Sequence, residues 1–211
     1  GVADGSAATF FAALRRALPR DGIMVTDSGL HQVLARRYFD VLSPRGMILP
    51  SDFQSMGFGV PAAIGAKLAA PGRPVVAVVG DGGLLMSGME LLTAVRERVP
   101  LTVIVFGDGQ LNQIRLRQYA WFGHAHAVEL GLLDLAALAT AFGLDYARLG
   151  DDAEASLRSA IASPRPSVLE LSVGDSPAVH MLHARGVARQ AVRGLLGASG
   201  VSWLTRFLGQ G

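Results

Sequence analysis

"VVAVVGDGGLLMSGMELLTAVRERVPLTVIVFGDGQLNQI", residues 75–114, contains two apolar runs, each closed by Gly-Asp-Gly: Gly80-Asp81-Gly82 and Gly107-Asp108-Gly109. Neither run alternates apolar with polar residues, so each reads as a strand covered on both faces, the signature of the middle of a parallel sheet. Between them Ser87-Gly88-Met89-Glu90 reads as a capping box that opens a helix over 88–98. Asp108 follows Asp81 by 27 residues, the length of one helix plus one strand, so both acids are expected at the same edge of neighbouring strands.

Outward from this unit the same pattern repeats. Short runs rich in Val, Ile and Leu predict strands at 23–26, 47–49, 145–148 and 167–172. Helical periodicity predicts helices at 7–18 (with Ser6 as N-cap), 30–40, 60–70, 133–142 and 153–162. Regular alternation of the two makes residues 1–175 a doubly wound α/β domain with a mainly parallel six-stranded sheet and helices on both faces. In such sheets ligands sit beyond the carboxyl ends of the strands. Residues 176–211 read as a helical C-terminal extension, with amphipathic segments at 179–196 and 201–208 joined by Gly197-Ala198-Ser199-Gly200.

Half of the 211 residues are hydrophobic, enough for a substantial core, and there is no cysteine, which removes disulfides, thiolate catalysis and cysteine-ligated zinc. This composition suits a cytoplasmic protein. The net charge is +2, with scattered arginines and Lys67 as the sole lysine, a poor basis for binding nucleic acid. No run reaches the roughly 18 apolar residues of a membrane span. The first residues lack the basic and apolar regions of a signal peptide, and a start at Gly1 is expected of a tag remnant or of a piece cut from a longer chain.

Glycines flanking an aspartate at a strand end let a ligand approach the backbone. A dinucleotide fingerprint would need glycine where Leu85 stands, and no Gly-Lys-Ser/Thr is present for a phosphate loop. The remaining chemistry for two strand-end carboxylates is a hard cation such as Mg²⁺, which takes oxygen ligands and in turn holds phosphates. On spacing alone the alternative stands open that both are ordinary strand-to-helix turns with solvated aspartates.

The larger pattern is more specific. Gly80-Asp81-Gly82, then Glu90-Leu91, Thr93-Ala94-Val95 and Val99-Pro100, then the polar turn at Asp108, resembles the thiamine-diphosphate motif. "DSGLHQ" (27–32) and "SMGFGVPAAIGAKLA" (55–69) are similar to stretches of the acetolactate synthase large subunit, and the likeness runs over about residues 6–175. It implies the diphosphate-binding domain of a 2-oxo acid decarboxylase or carboligase. Asp81, Asp108 and the Gln110 carbonyl would hold Mg²⁺. The amides of Gly82 and Gly83 and the His31 side chain would bind the diphosphate of the thiamine diphosphate, with Gly80 and Leu111 also at the cofactor. The backbone near Gln54 would meet the aminopyrimidine, and Met56 would support the bent cofactor conformation that the reaction requires.

The sequence departs from the resemblance at three places. Asp108 replaces an asparagine ligand, a change Arg115 or Arg117 is placed to compensate. Leu30 replaces a glutamine, and Asn112-Gln113 alters the segment near the reacting carbon. The glutamate that protonates the pyrimidine ring in this family has no counterpart here, since Glu90, Glu97, Glu129, Glu154 and Glu170 all fall on the diphosphate side. A pyrimidine-binding domain or subunit is therefore expected as partner, within a homo- or hetero-oligomer acting on a small 2-oxo acid. The competing expectation is a regulatory or scaffold subunit that keeps the fold without turnover. His124 and His126 read as surface or interface histidines rather than metal ligands, and His180 and His183 as a plain helix face in the tail.

Overall fold

A computed structural model describes residues 7–131 and 133–172. The expected N-cap Ser6 and the expected tail, with His180 and His183, lie outside these residues. The chain order is α1 (Ala7–Ala17), β1 (Ile23–Thr26), α2 (Leu30–Tyr38), β2 (Met47–Ile48), α3 (Gly59–Ala69) and β3 (Val75–Gly80). There follow α4 (Asp81–Ser87), a 3₁₀ turn at Gly88–Glu90, α5 (Leu91–Arg96), β4 (Thr102–Gly107), α6 (Asn112–Phe122), α7 (Leu135–Phe142), β5 (Asp145–Arg148), α8 (Ala153–Ala162) and β6 (Ser167–Ser172).

The six strands form one sheet in the order β2-β1-β3-β4-β6-β5, every neighbouring pair parallel. The two apolar runs of the opening stretch are its two central strands, as their two-sided hydrophobicity requires. Successive side chains of a strand face opposite ways, and the core divides accordingly. Val75, Ala77 and Val79 of β3 join Val103 and Val105 of β4 in one cluster, roofed by α3, α5 and α7. Val76 and Val78 join Ile104 and Phe106 in the other, roofed by α1, α2 and α8. Phe106 meets Phe10 edge-on, with ring centroids 5.3 Å apart, and stacks near Phe11 at 6.1 Å, so an aromatic cluster buttresses the carboxyl end of β4.

Two local expectations are corrected. The helix expected at 88–98 instead starts at Asp81, directly after β3, and is broken by the 3₁₀ turn; Ser87 makes no side-chain cap and its hydroxyl donates back to the Gly83 carbonyl at 3.4 Å. Glycine is a poor helix former, but tertiary contact outweighs propensity here. A Cβ on Gly82 would lie 2.6 Å from the Leu111 side chain, and one on Gly83 would lie 2.6 Å from the Asp27 carboxylate. The second correction is α6, absent from the sequence reading. None of its residues is buried, so it lacks the apolar stripe that marks a helix packed on a core.

Candidate cofactor site at the switch point

After β1 the chain enters α2 on one face of the sheet; after the adjacent β3 it enters α4 on the other. That divergence opens a crevice beyond the strand ends, the place where doubly wound sheets bind ligands. A cavity of about 370 Å³ occupies it, within the size range of small-molecule sites. Its walls include His31, Gln54, Met56, Gly80, Asp81, Gly82, Gly83, Asp108, Gln110 and Leu111, so every residue expected at the cofactor comes together in one place.

The centre of the site is Asp81, buried at 7% exposure. Its Oδ1 accepts from the Gly82 amide at 2.8 Å, and its Oδ2 accepts from the amides of Asp108 at 3.2 Å and Gly109 at 2.6 Å. The first Gly-Asp-Gly turn thus holds the second in place. A carboxylate has about four lone-pair sites, and three amides leave room for one further ligand. Asp108 accepts from the Gln110 amide at 3.0 Å through Oδ1 and from Asn112 Nδ2 at 2.9 Å through Oδ2, which leaves each oxygen able to accept once more. Burial pushes the Asp108 carboxyl above the ordinary range, with the Asp81 charge adding to the rise and the Asn112 hydrogen bond opposing it. Two carboxylates in one pocket are unfavourable without a cation between them, and Mg²⁺ needs few protein ligands. Gln110 pairs antiparallel with Glu129 through the Leu111 amide and the Gly109 carbonyl, so its own carbonyl takes no part in that bridge. Among the described residues no three His, Cys, Asp or Glu side chains group together, so a metal here would need backbone and ligand oxygens beside the two carboxylates.

His31, on α2, is buried against Phe106, with ring centroids 6.1 Å apart. Among the described residues its Nε2 has no partner although the ring lines the cavity, a polar atom left for a ligand. Burial lowers the ring pKa to about 4, a hydrogen bond to the Asp27 backbone opposing the shift. Gly29 and Gly80 make room for the ring, since a Cβ on Gly29 would come within 2.5 Å of it and one on Gly80 within 3.2 Å. The unfolded ring gains a proton below its ordinary pKa of 6.5, and the folded ring only below about 4. Stability contributed by neutral His31 is therefore full above pH 6.5 and declines as pH falls toward 4, by roughly 3 kcal/mol in all. Urea unfolding from pH 7 to 4 is expected to show a loss smaller by about that amount in His31→Gln than in the wild type. Asp27 and Asp108, raised by burial, have the opposite slope, so the difference between the two proteins isolates the ring.

Asp27 is a residue for which the sequence reading assigned no role. It follows β1 as Asp81 follows β3 and Asp108 follows β4, and it is fully buried. Its Oδ1 accepts from the Ser28 amide at 2.6 Å, and its Oδ2 from the amides of Gly57 at 3.0 Å and Gly59 at 3.2 Å. This carboxylate fixes the loop that carries Gln54 and Met56 over the cavity. The loop needs fixing, because Gln54 at φ 52° and Gly57 at φ 82° both lie in the left-handed region. Its position at a strand end was the available signal. The unpredicted α6 adds Gln113 and Arg117 to the cavity wall, while Arg115 turns to Asn112. His124 and His126 are exposed on the loop after α6, with His124 Nδ1 3.0 Å from the Phe122 carbonyl.

Residues 27–171 match the family described as thiamine pyrophosphate enzyme, C-terminal TPP binding domain. The chain belongs to this family. Among its relatives, an acetolactate synthase of Bacillus subtilis (strain 168) is 32% identical over 170 residues, covering 80% of this chain and 30% of the relative. The acetolactate synthase isozyme 2 large subunit of Escherichia coli (strain K12) is 33% identical over 162 residues, covering 74% of this chain and 29% of the relative. Among solved structures, a thiamine diphosphate-dependent 4-hydroxybenzoylformate decarboxylase of Rhodococcus jostii RHA1 superposes with a TM-score of 0.75 at 25% identity, covering 81% of this chain and 33% of the other. The chain spans about a third of the length of these relatives. It is a thiamine diphosphate-binding domain of acetolactate synthase-like enzymes, and among its described residues no helix is long and apolar enough to cross a membrane.

Proposed function

We propose that this domain holds thiamine diphosphate through Mg²⁺ at the β1/β3 switch point, as the diphosphate-binding part of a 2-oxo acid decarboxylase or carboligase. The observation that carries the reading is the linkage of Asp81 Oδ2 to the amides of Asp108 and Gly109, which sets two strand-end carboxylates around one cavity. Asp81, Asp108 and the Gln110 carbonyl hold the metal. The Nε2 of His31, unpartnered among the described residues, meets the diphosphate, and Gly82 and Gly83 line the cavity beside it. Met56 Cε lies 3.1 Å from where a Gly82 Cβ would stand, so this side chain projects into the cavity as a prop for the bent cofactor. Bound there, the cofactor would supply a nucleophilic carbon for a 2-oxo acid carbonyl and a cationic ring able to take up the electron pair left when the bond to CO₂ breaks. Phe106 and the buried aromatic cluster keep water from the inner wall.

The pyrimidine side of the cofactor is left to a partner domain that brings the glutamate. Exposed apolar side chains support such a partner. Leu85, Met86 and Met89 follow the first Gly-Asp-Gly turn, Trp121 and Phe122 end α6, and Phe53 at the cavity is 96% exposed. Methionine and aromatic residues of this kind are enriched at protein interfaces. Calorimetric titration with thiamine diphosphate tests the reading: binding heat is expected with Mg²⁺ and is expected to disappear with a chelator. No heat from a folded sample in either condition would overturn it and favour a scaffold that keeps the fold for assembly.

A further inference from the structure

Asp108 ends in a short relay. Asn112 donates through Nδ2 to Asp108 Oδ2 at 2.9 Å, and its Oδ1 accepts from Arg115 Nε at 3.1 Å. Asn112 is the first residue of α6 and Arg115 stands three residues on, so both occupy one face of the helix. The chemistry of the partners sets the amide's orientation. A carboxylate only accepts and a guanidinium only donates, so a flipped Asn112 would place oxygen against oxygen and nitrogen against nitrogen. Arg115 is half-buried, with its guanidinium carbon 6.0 Å above the Tyr119 ring, which restrains the cation from its other side. Arg117, the other arginine near this turn, lines the cavity and makes no bond to Asp108.

We infer that Asn112 and Arg115 are positioning residues for the metal ligand Asp108: Arg115 orients the Asn112 amide, which fixes one carboxylate oxygen and carries compensating positive charge toward it. The inference rests on the cofactor reading above. Asn112 uses one acceptor site of Oδ2, while the Gln110 amide uses one of Oδ1, so the carboxylate is pinned at both oxygens without being filled. Asp108 and Asn112 therefore form a matched pair. An asparagine at 108 would present either an NH₂ group to the Asn112 NH₂ group or a neutral oxygen with less need of the distant cation.

The test is a Mg²⁺ titration of the full chain at saturating thiamine diphosphate, with melting temperature measured alongside. Asn112→Ala is expected to weaken Mg²⁺ about 10-fold, at the lower end of the range for residues that orient metal ligands, and Arg115→Leu to act in the same direction. Asn112→Asp, which sets a like charge against Asp108, should do more damage than Asn112→Ala. Repeated in an Asp108→Asn background, Asn112→Ala should have little effect, because the pair is already broken. A wild type that binds Mg²⁺ while Asn112→Ala binds it equally well overturns the relay alone. So does an equal loss in both backgrounds, or a lower melting temperature with unchanged Mg²⁺ affinity, which would mark Asn112 as structural only. A folded wild type with no Mg²⁺-dependent binding overturns the cofactor reading and the relay with it.

Discussion

Asp81→Ala will lower Mg²⁺-dependent affinity for thiamine diphosphate by at least about 100-fold. Groups that merely orient a metal ligand are worth about 10–100-fold, and Asp81 is proposed to be a ligand itself. Its second task adds to the loss. Three amides, those of Gly82, Asp108 and Gly109, converge on its oxygens, and truncation releases the second Gly-Asp-Gly turn from the first. Asp108 would then lose its position as well as its partner. Asp81→Asn separates the two roles, because one carbonyl oxygen still accepts amide hydrogens while the charge that attracts the metal is gone. Calorimetry is expected to show a loss for Asp81→Asn between the wild type and Asp81→Ala, with folding better preserved than in Asp81→Ala. If Asp81→Ala binds the cofactor as the wild type does, the metal clamp is wrong.

The largest effect on stability is expected at Asp27. Its carboxylate is fully buried and accepts three amides, from Ser28, Gly57 and Gly59. A buried donor left without a partner costs about 1–3 kcal/mol, so Asp27→Ala should destabilise the fold by roughly 3–5 kcal/mol, even if water reaches the Ser28 amide. The damage extends into the site. Gly57 and Gly59 hold the loop of Gln54 and Met56, and Gly83 of α4 lies so close to Asp27 that a Cβ would collide with the carboxylate. Urea unfolding at pH 7 should show the midpoint fall sharply for Asp27→Ala and less for Asp27→Asn, which keeps one acceptor oxygen. A loss below about 1 kcal/mol would mean that the loop is held by other contacts.

The part of the fold legible in the sequence was the part governed by burial. β3 and β4 lie at the sheet centre and are apolar on both faces, so composition alone announced them. β2, at the sheet edge, keeps only Met47–Ile48 as strand, paired with Met24 and Val25 of β1. α6 was missed because periodicity reports a helix through its buried side, and this helix buries none of its residues. The helix after β3 was misplaced because its start depends on glycines that local propensity counts against a helix. They are present because Leu111 and Asp27 approach too closely for any side chain.

The candidate site divides along the same line. Spacing placed Asp81 and Asp108 at one edge, since one helix and one strand separate them whatever surrounds them. Asp27 stands at an equivalent strand end, yet its role depends on amides 30 and 32 residues away, and nothing within its own segment signals that. The relay from Arg115 to Asp108 is local in the chain, but it exists only because the residues after Gly109 coil into α6 and set Asn112 and Arg115 on one face. By itself, then, the sequence determined the sheet, its central strands and the two acids at their ends, because the hydrophobic effect and residue spacing act through composition and period. The tertiary structure alone decided which amides fill which carboxylate oxygens and which ring nitrogen stays bare, because hydrogen bonds and close contacts depend on distances between segments far apart in the chain.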